Sequence, residues 1–97
     1  MLPIDFLPAA RSDFDDSLGW YAEQSAQAAV RFVNAVDASL SLIAAHPLQF
    51  AVVDNLHRSC PMKRFPFCIV YRVASERIVI VAIAHAKRRP GYWRDRA

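Results

Sequence analysis

Pro8 and Pro47 divide this chain into segments with different hydrophobic periods, and that change of period limits the fold more than any other feature. Between the two prolines, apolar residues recur at helical spacing. Ala10, Phe14, Leu18 and Tyr21 make one stripe; Ala29, Phe32, Val33, Val36, Leu40 and Ile43 make a second. Proline fixes φ and lacks an amide hydrogen, so it suits the first turn of a helix and ends a helix that runs into it. The first stripe predicts a helix over residues 9–23, with Trp20 on its flank and Asp13, Asp15 and Asp16 near the positive end of the helix dipole. Ser25 is the break between the stripes and the N-cap of a second helix, although Ala28 stands where a capping box would place an acid. The second helix ends near Ala45 or His46, because Pro47 restricts the residue before it.

Outside the prolines the pattern is that of strands. Leu2–Leu7 reads as an opening strand, Gln49–Val53 as a short extended piece, and Arg58–Arg64 as a strand in which Pro61 demands an edge position or a bulge. Phe67–Val73 and Arg77–Ala84 are rich in β-branched and aromatic residues and flank a turn at Ala74–Glu76, so they are expected to pair as a hairpin. Ile78–Ala84 is apolar at almost every position, as expected of a strand covered on both faces at the centre of a sheet. Together these make an α+β fold in a single domain, residues 1–97: an N-terminal strand, an αα-hairpin, and a three-stranded antiparallel segment completing one sheet packed against the helices.

Several chemistries are excluded by what the sequence lacks. Gly19 and Gly91 are too few for a phosphate cradle or a dinucleotide fingerprint. Cys60 and Cys68, with His57 and His85 as the nearest imidazoles, have no zinc-site spacing, so neither a metal nor a cofactor is expected. Asp54 and His57 precede Cys60, but nothing in the spacing sets a base beside the thiol, and an inert, at least half-buried cysteine is the expectation. Two cysteines do not make a secreted disulfide scaffold and point to a reducing, cytoplasmic setting. The N-terminus carries Asp5 inside its apolar stretch and no basic lead, and no run approaches about 18 apolar residues, so neither a signal peptide nor a membrane partner is expected.

The formal net charge of +3 hides a strong asymmetry. Residues 1–57 hold seven acidic side chains against Arg11 and Arg31, a balance of −5, whereas residues 58–97 hold ten basic side chains against Glu76 and Asp95, a balance of +8. A basic half of this kind favours an acidic partner, either nucleic acid or an anionic protein segment, or else is simply a solvated arginine-rich surface. The charge culminates in HAKRRPGYWRDR, His85–Arg96. Arginine forks hold phosphate and aromatic rings stack on unpaired bases, so the segment has the residue types of an RNA site. Metal-free RNA cleavage would need a proton-transfer group and cations at the phosphate: His85 for the first, with Lys63, Arg64, Lys87 and Arg88 for the second if the two strands share a rim. The alternative is structural. Tyr92 and Trp93 fold back to seal the sheet, and His85 is a satisfied strand-end histidine.

The order strand, αα-hairpin, strands, together with AAHPLQF (Ala44–Phe50), CIVYRV (Cys68–Val73) and IVIVAIAHAKRRPGYW (Ile78–Trp93), resembles the RelE/ParE superfamily of small bacterial toxins, in its ParE-like plasmid-stabilisation branch. The resemblance runs over nearly the whole chain. It implies the toxin of a type II toxin–antitoxin pair, held inactive by a cognate antitoxin received on the surface of helices 9–45 and strand 78–84, with operator DNA contacted only through the antitoxin. RelE-like members cleave ribosome-bound mRNA; by that resemblance Lys63, Arg64, His85, Arg88 and Tyr92 are the candidate catalytic set. Cys68 stands where that pattern has an arginine, and a thiol cannot hold a phosphate charge. ParE-like members poison DNA gyrase by protein contact. That reading is placed ahead of the nuclease, with Lys87, Arg88, Arg89, Tyr92, Trp93 and Arg94 as the target-binding residues. A non-toxic RNA-binding or regulatory module is a further alternative.

Overall fold

The computed structural model describes residues 1–97. The elements follow the order β1 (Ile4–Phe6), α1 (Pro8–Gln24), α2 (Ala26–Ala45), β2 (Ala51–Val52), β3 (Arg58–Pro61), β4 (Phe67–Val73) and β5 (Ile78–His85). Pro8 occupies the first turn of α1. Ser25 separates the helices in an extended conformation, and its Oγ accepts the Ala28 N–H at 3.0 Å, capping α2. Beyond α2 the turn is pinned from the sheet: the Tyr71 hydroxyl donates to the Pro47 carbonyl at 2.6 Å, and Arg58 Nη1 donates to the carbonyls of Leu48 and Phe50. By length and composition α2 could cross a bilayer. Here it packs Phe32, Val36, Ile43 and Ala44 against the protein interior while Arg31 and Asp37 face water.

The five strands form one sheet in the order β1-β5-β4-β3-β2. The expected three-stranded antiparallel segment is β3–β4–β5, and the sheet as a whole is mixed: β1 runs parallel to β5 (Ile4↔Ile78 to Phe6↔Ile80), the αα-hairpin and the other strands forming the long connection between them. The remaining pairs are antiparallel. β5 lies inside the sheet between β1 and β4, and the central strand is β4. Pro61 is tolerated in β3 because β2 reaches only Arg58 and Ser59, leaving the outer side of Pro61 without a partner strand.

β5 carries one extra residue. Val70 pairs with Ala82 and Tyr71 with Ile80, so Val81 is bulged. The bulge resets the alternation. Ile78, Ile80 and Ile83 point into the larger core with Phe32, Tyr71 and Ile69, whereas Val81 and Ala82 face the other side with Val70 and Trp93. This explains a strand apolar at almost every position: the helices cover one face and the C-terminal segment covers the other.

Candidate functional site

β5 ends at His85, and residues 86–97 continue as a succession of turns. Proline at position 90 cannot extend a strand, and Gly91 adopts φ +77, a left-handed conformation. A side chain at position 91 would also run into the Arg94 guanidinium, so glycine is what lets Arg94 fold back on the segment.

The segment divides into an exposed part and an anchored part. Ala86, Lys87, Arg88, Arg89 and Pro90 are exposed. The Arg88 guanidinium lies 4.0 Å over the half-buried Tyr92 ring, and burial followed by the Asp13 charge pushes the Tyr92 phenol up from its ordinary pKa. Beyond Tyr92, Trp93 turns inward while Arg94 and Asp95 stay exposed. Trp93 is 5 % exposed and packs on Val70, Val81 and Ala82, with the His57 ring edge-on at 4.8 Å. Arg94 Nε donates to Asp54 Oδ2 at 3.3 Å. Arg96 grips Asp13 on α1 with two bonds, 2.7 and 3.2 Å, and donates to the Val81 carbonyl at 3.0 Å. Lys87, Arg88 and Arg89 are therefore the exposed cations of the segment that make no ion pair, and Trp93 is buried.

Asp13 and Asp54 make long-range contacts that their spacing did not announce. Asp13 is beyond the first turn of α1, which holds no acid, so it does not serve the helix dipole. Instead it accepts the Ile83 N–H at 3.1 Å as well as the Arg96 fork. β1 stops at Phe6, and Asp13 and Arg96 together satisfy the backbone groups of Ile83 and Val81 that a longer β1 would have paired. Asp54 Oδ1 accepts the Leu56 and His57 N–H groups, each at 2.8 Å, and His57 Nδ1–H at 2.9 Å. The Leu56 amide above all, then His57, holds the Asp54 carboxyl well below its usual range. The Asp54–His57 pair faces Trp93, not a cysteine. Cys60 sits in the helix-side core with its thiol against the Pro61 carbonyl, and burial pushes it toward the protonated form.

The two basic clusters do share a rim. Phe67 pairs with His85 and the Ala86 N–H donates to the Pro66 carbonyl at 2.8 Å, which sets the turn carrying exposed Lys63 and Arg64 beside the start of the exposed ledge. His85 packs edge-on against Phe67 at 4.9 Å, and its Nδ1 accepts the Lys87 N–H at 3.0 Å. In the neutral ring the proton is therefore on Nε2, and using Nε2 as a base would require breaking that bond. Cys68 is half-buried on the opposite side of the sheet from Cys60 and brings no charge to the ledge. In strand 78–84, β4 flanks the whole length and β1 the first three residues, Arg96 and Asp13 take up the edge at Val81 and Ile83, and the side chains are mostly buried.

Residues 4–90 match the model of a family described as the ParE toxin of the type II toxin–antitoxin system parDE. The chain belongs to the ParE toxin family. Its fold is similar to that of a solved chain from a "Chromosomal ParDE TA system from P. aeruginosa", with a TM-score of 0.77 at 20% identity, covering 90% of this chain and 98% of that one. No curated protein matches the sequence. The family match covers every strand and helix and the cations up to Arg89; Tyr92, Trp93, Arg94 and Arg96 of this toxin lie beyond it.

Proposed function

We propose that this type II toxin inhibits DNA gyrase by direct protein contact through the ledge Lys87, Arg88 and Arg89, with Tyr92 beneath it, and that a cognate antitoxin neutralises it. The observation that carries this reading is an exposed cationic ledge with no group poised to accept a proton beside it. His85 has its Nδ1 engaged by the Lys87 amide, burial pushes the Tyr92 phenol up and away from acting as a base, and Cys68 replaces the cation a nuclease would need on β4. Positive charge suffices to steer and hold an acidic protein surface. Both cysteines are free, in keeping with action in the cytoplasm.

For the antitoxin, the helical surface offers an open apolar groove of about 560 Å³ lined by Ala35, Leu42, Phe50, Pro61 and Met62, with Lys63 at its side. It suits the apolar side of an amphipathic segment that folds on binding. Operator DNA is then reached only through the antitoxin, with no membrane or cofactor involved.

Ribosome-dependent mRNA cleavage is the second reading, favoured by the rim that Lys63 and Arg64 share with Lys87 and Arg88. A gyrase supercoiling assay run beside a ribosome-dependent cleavage assay separates the two. Inhibition of supercoiling that disappears in Arg88→Glu supports the first. Supercoiling unchanged at excess toxin, with mRNA cut in a manner lost in Lys63→Ala and Arg88→Ala, replaces it with the second. Salt-dependent RNA affinity without growth arrest in cells points to the RNA-binding alternative.

A further inference from the structure

Residues 86–97 hold themselves together poorly. Their internal backbone bonds are isolated single turns, Tyr92 N–H to Arg89, Arg94 N–H to Gly91 and Arg96 N–H to Trp93, at 3.0–3.3 Å. Separate turns lack the cooperativity of a helix, so the path of the segment is set by what its side chains grip. Beside the local stacking of Arg88 on Tyr92, three grips are on residues distant in sequence. Arg96 forks onto Asp13 of α1, Arg94 reaches Asp54, and Trp93 packs on the His57 ring.

The receiving groups are built in advance. Asp13 has a side-chain exposure of only 13% and is aimed by the Ile83 amide. Asp54 is fixed by the Leu56 and His57 amides and in turn fixes the His57 ring, which is 3% exposed. The exposed ledge Lys87–Arg89 is thus a bridge. One end is tied to β5 through His85 and the Ala86 bond to Pro66, and the other is tied by these three contacts. The direction in which its cations face depends on both ends.

We propose that Asp13, Asp54 and His57 are positioning residues for the toxic surface: by clamping Arg96, Arg94 and Trp93 they fix how Lys87, Arg88 and Arg89 are presented to the target. This rests on the reading of the ledge as the gyrase contact. None of the three touches the target. Their loss leaves the cations in place chemically and releases the frame that aims them.

The sequence holds two tryptophans, and Trp20 is 57% exposed, so Trp20→Phe gives a full-length toxin in which Trp93 alone reports on the clamp. In that background, Asp13→Asn and Asp54→Asn are each expected to red-shift Trp93 emission and open it to acrylamide. The toxin concentration needed for half-inhibition of gyrase should rise on the order of tenfold, as for loss of one charge-assisted contact. Helix content by far-UV circular dichroism should be unchanged. Arg96→Lys, which keeps the charge but not the fork, should act in the same direction and add little on top of Asp13→Asn. Trp93 remaining shielded with full inhibition in both Asn variants overturns the proposal, as does loss of inhibition that merely follows loss of helix content. If the parent toxin does not inhibit gyrase, the target reading fails separately. The clamp then stands only if Trp93 exposure and loss of growth arrest in cells rise together in both variants.

Discussion

The two faces of the sheet are closed by different means. The helix side buries a broad cluster in which Phe32 is central, its ring against Phe14, Tyr21, Phe65 and Phe67 at 5.0–5.8 Å, with Ile69, Tyr71, Ile78 and Ile80 beneath. The other side is closed by Trp93 on Val70, Val81 and Ala82, assisted by charged groups from α1 and the loop after β2. Burial that is spread over many side chains from regular elements tolerates the loss of any polar contact. A cover made by one ring and a few ion pairs does not. The same fold therefore has one face that decides whether the chain folds and one that decides how its basic end is held.

The largest expected effect comes from emptying the first face. Phe32→Ala should cost about 3–5 kcal/mol and unfold most of the protein, measurable as a collapse of the urea midpoint. Trp93→Ala should cost less, about 2–3 kcal/mol, because the segment it anchors can open locally. Hydrogen exchange should then show lost protection at the amides of Tyr92, Arg94 and Arg96 while α1 and α2 stay protected. Equal loss of protection on both sides of the sheet would erase the distinction between them.

Gly91→Ala tests the anchored segment more gently. Its left-handed φ and the crowding against Arg94 should cost about 1 kcal/mol, seen as a lower thermal midpoint with the helix-side core otherwise intact. Acid should act on the same side. The Asp54 carboxyl is held below its ordinary pKa by the Leu56 and His57 amides and the His57 ring, so the stability it contributes is complete above the unfolded value, about 4, and is lost as pH falls through the lower folded value. A pH titration followed by Trp93 emission should show loosening on acidification below about pH 4 that is absent in Asp54→Asn. Smallest of all, Arg89→Glu should change stability by less than about 0.5 kcal/mol, since Arg89 is exposed and makes no ion pair, while weakening gyrase inhibition.

The difference between the faces is also a difference in what could be read from sequence. The helix-side core follows from period: Phe14, Phe32, Val36 and Ile43 recur at helical spacing, Ser25 and the prolines mark the ends, and β4 and β5 read as strands from composition. The parallel β1–β5 pair was not legible, because a three-residue strand carries no sign of its partner's direction. Nor was the bulge at Val81, which in an unbroken apolar run leaves no mark. The exposed ledge could be found from the run of charges at Lys87–Arg89. Its supports could not: Asp13 lies 83 positions from Arg96 and Asp54 lies 40 from Arg94, and no local pattern links a helix carboxylate to a terminal arginine. The only local hint was the Asp54–His57 spacing, which lies near Cys60 in sequence but faces Trp93 in the fold.

β5 receives the first strand of the chain along Ile78–Ile80 and the side chain of Arg96 at Val81. One strand is thus finished by residues far apart in sequence, Ile4–Phe6 and Arg96. During synthesis, Ile4–Phe6 must wait for β5 before it has a neighbour to pair with, and the edge at Val81 stays open until Arg96 has been added. Contacts this distant in sequence form slowly and late. The αα-hairpin can collapse as it emerges, but the edge of β5 is closed only once Arg96 has reached it, so the frame around the basic ledge is assembled after the helical layer.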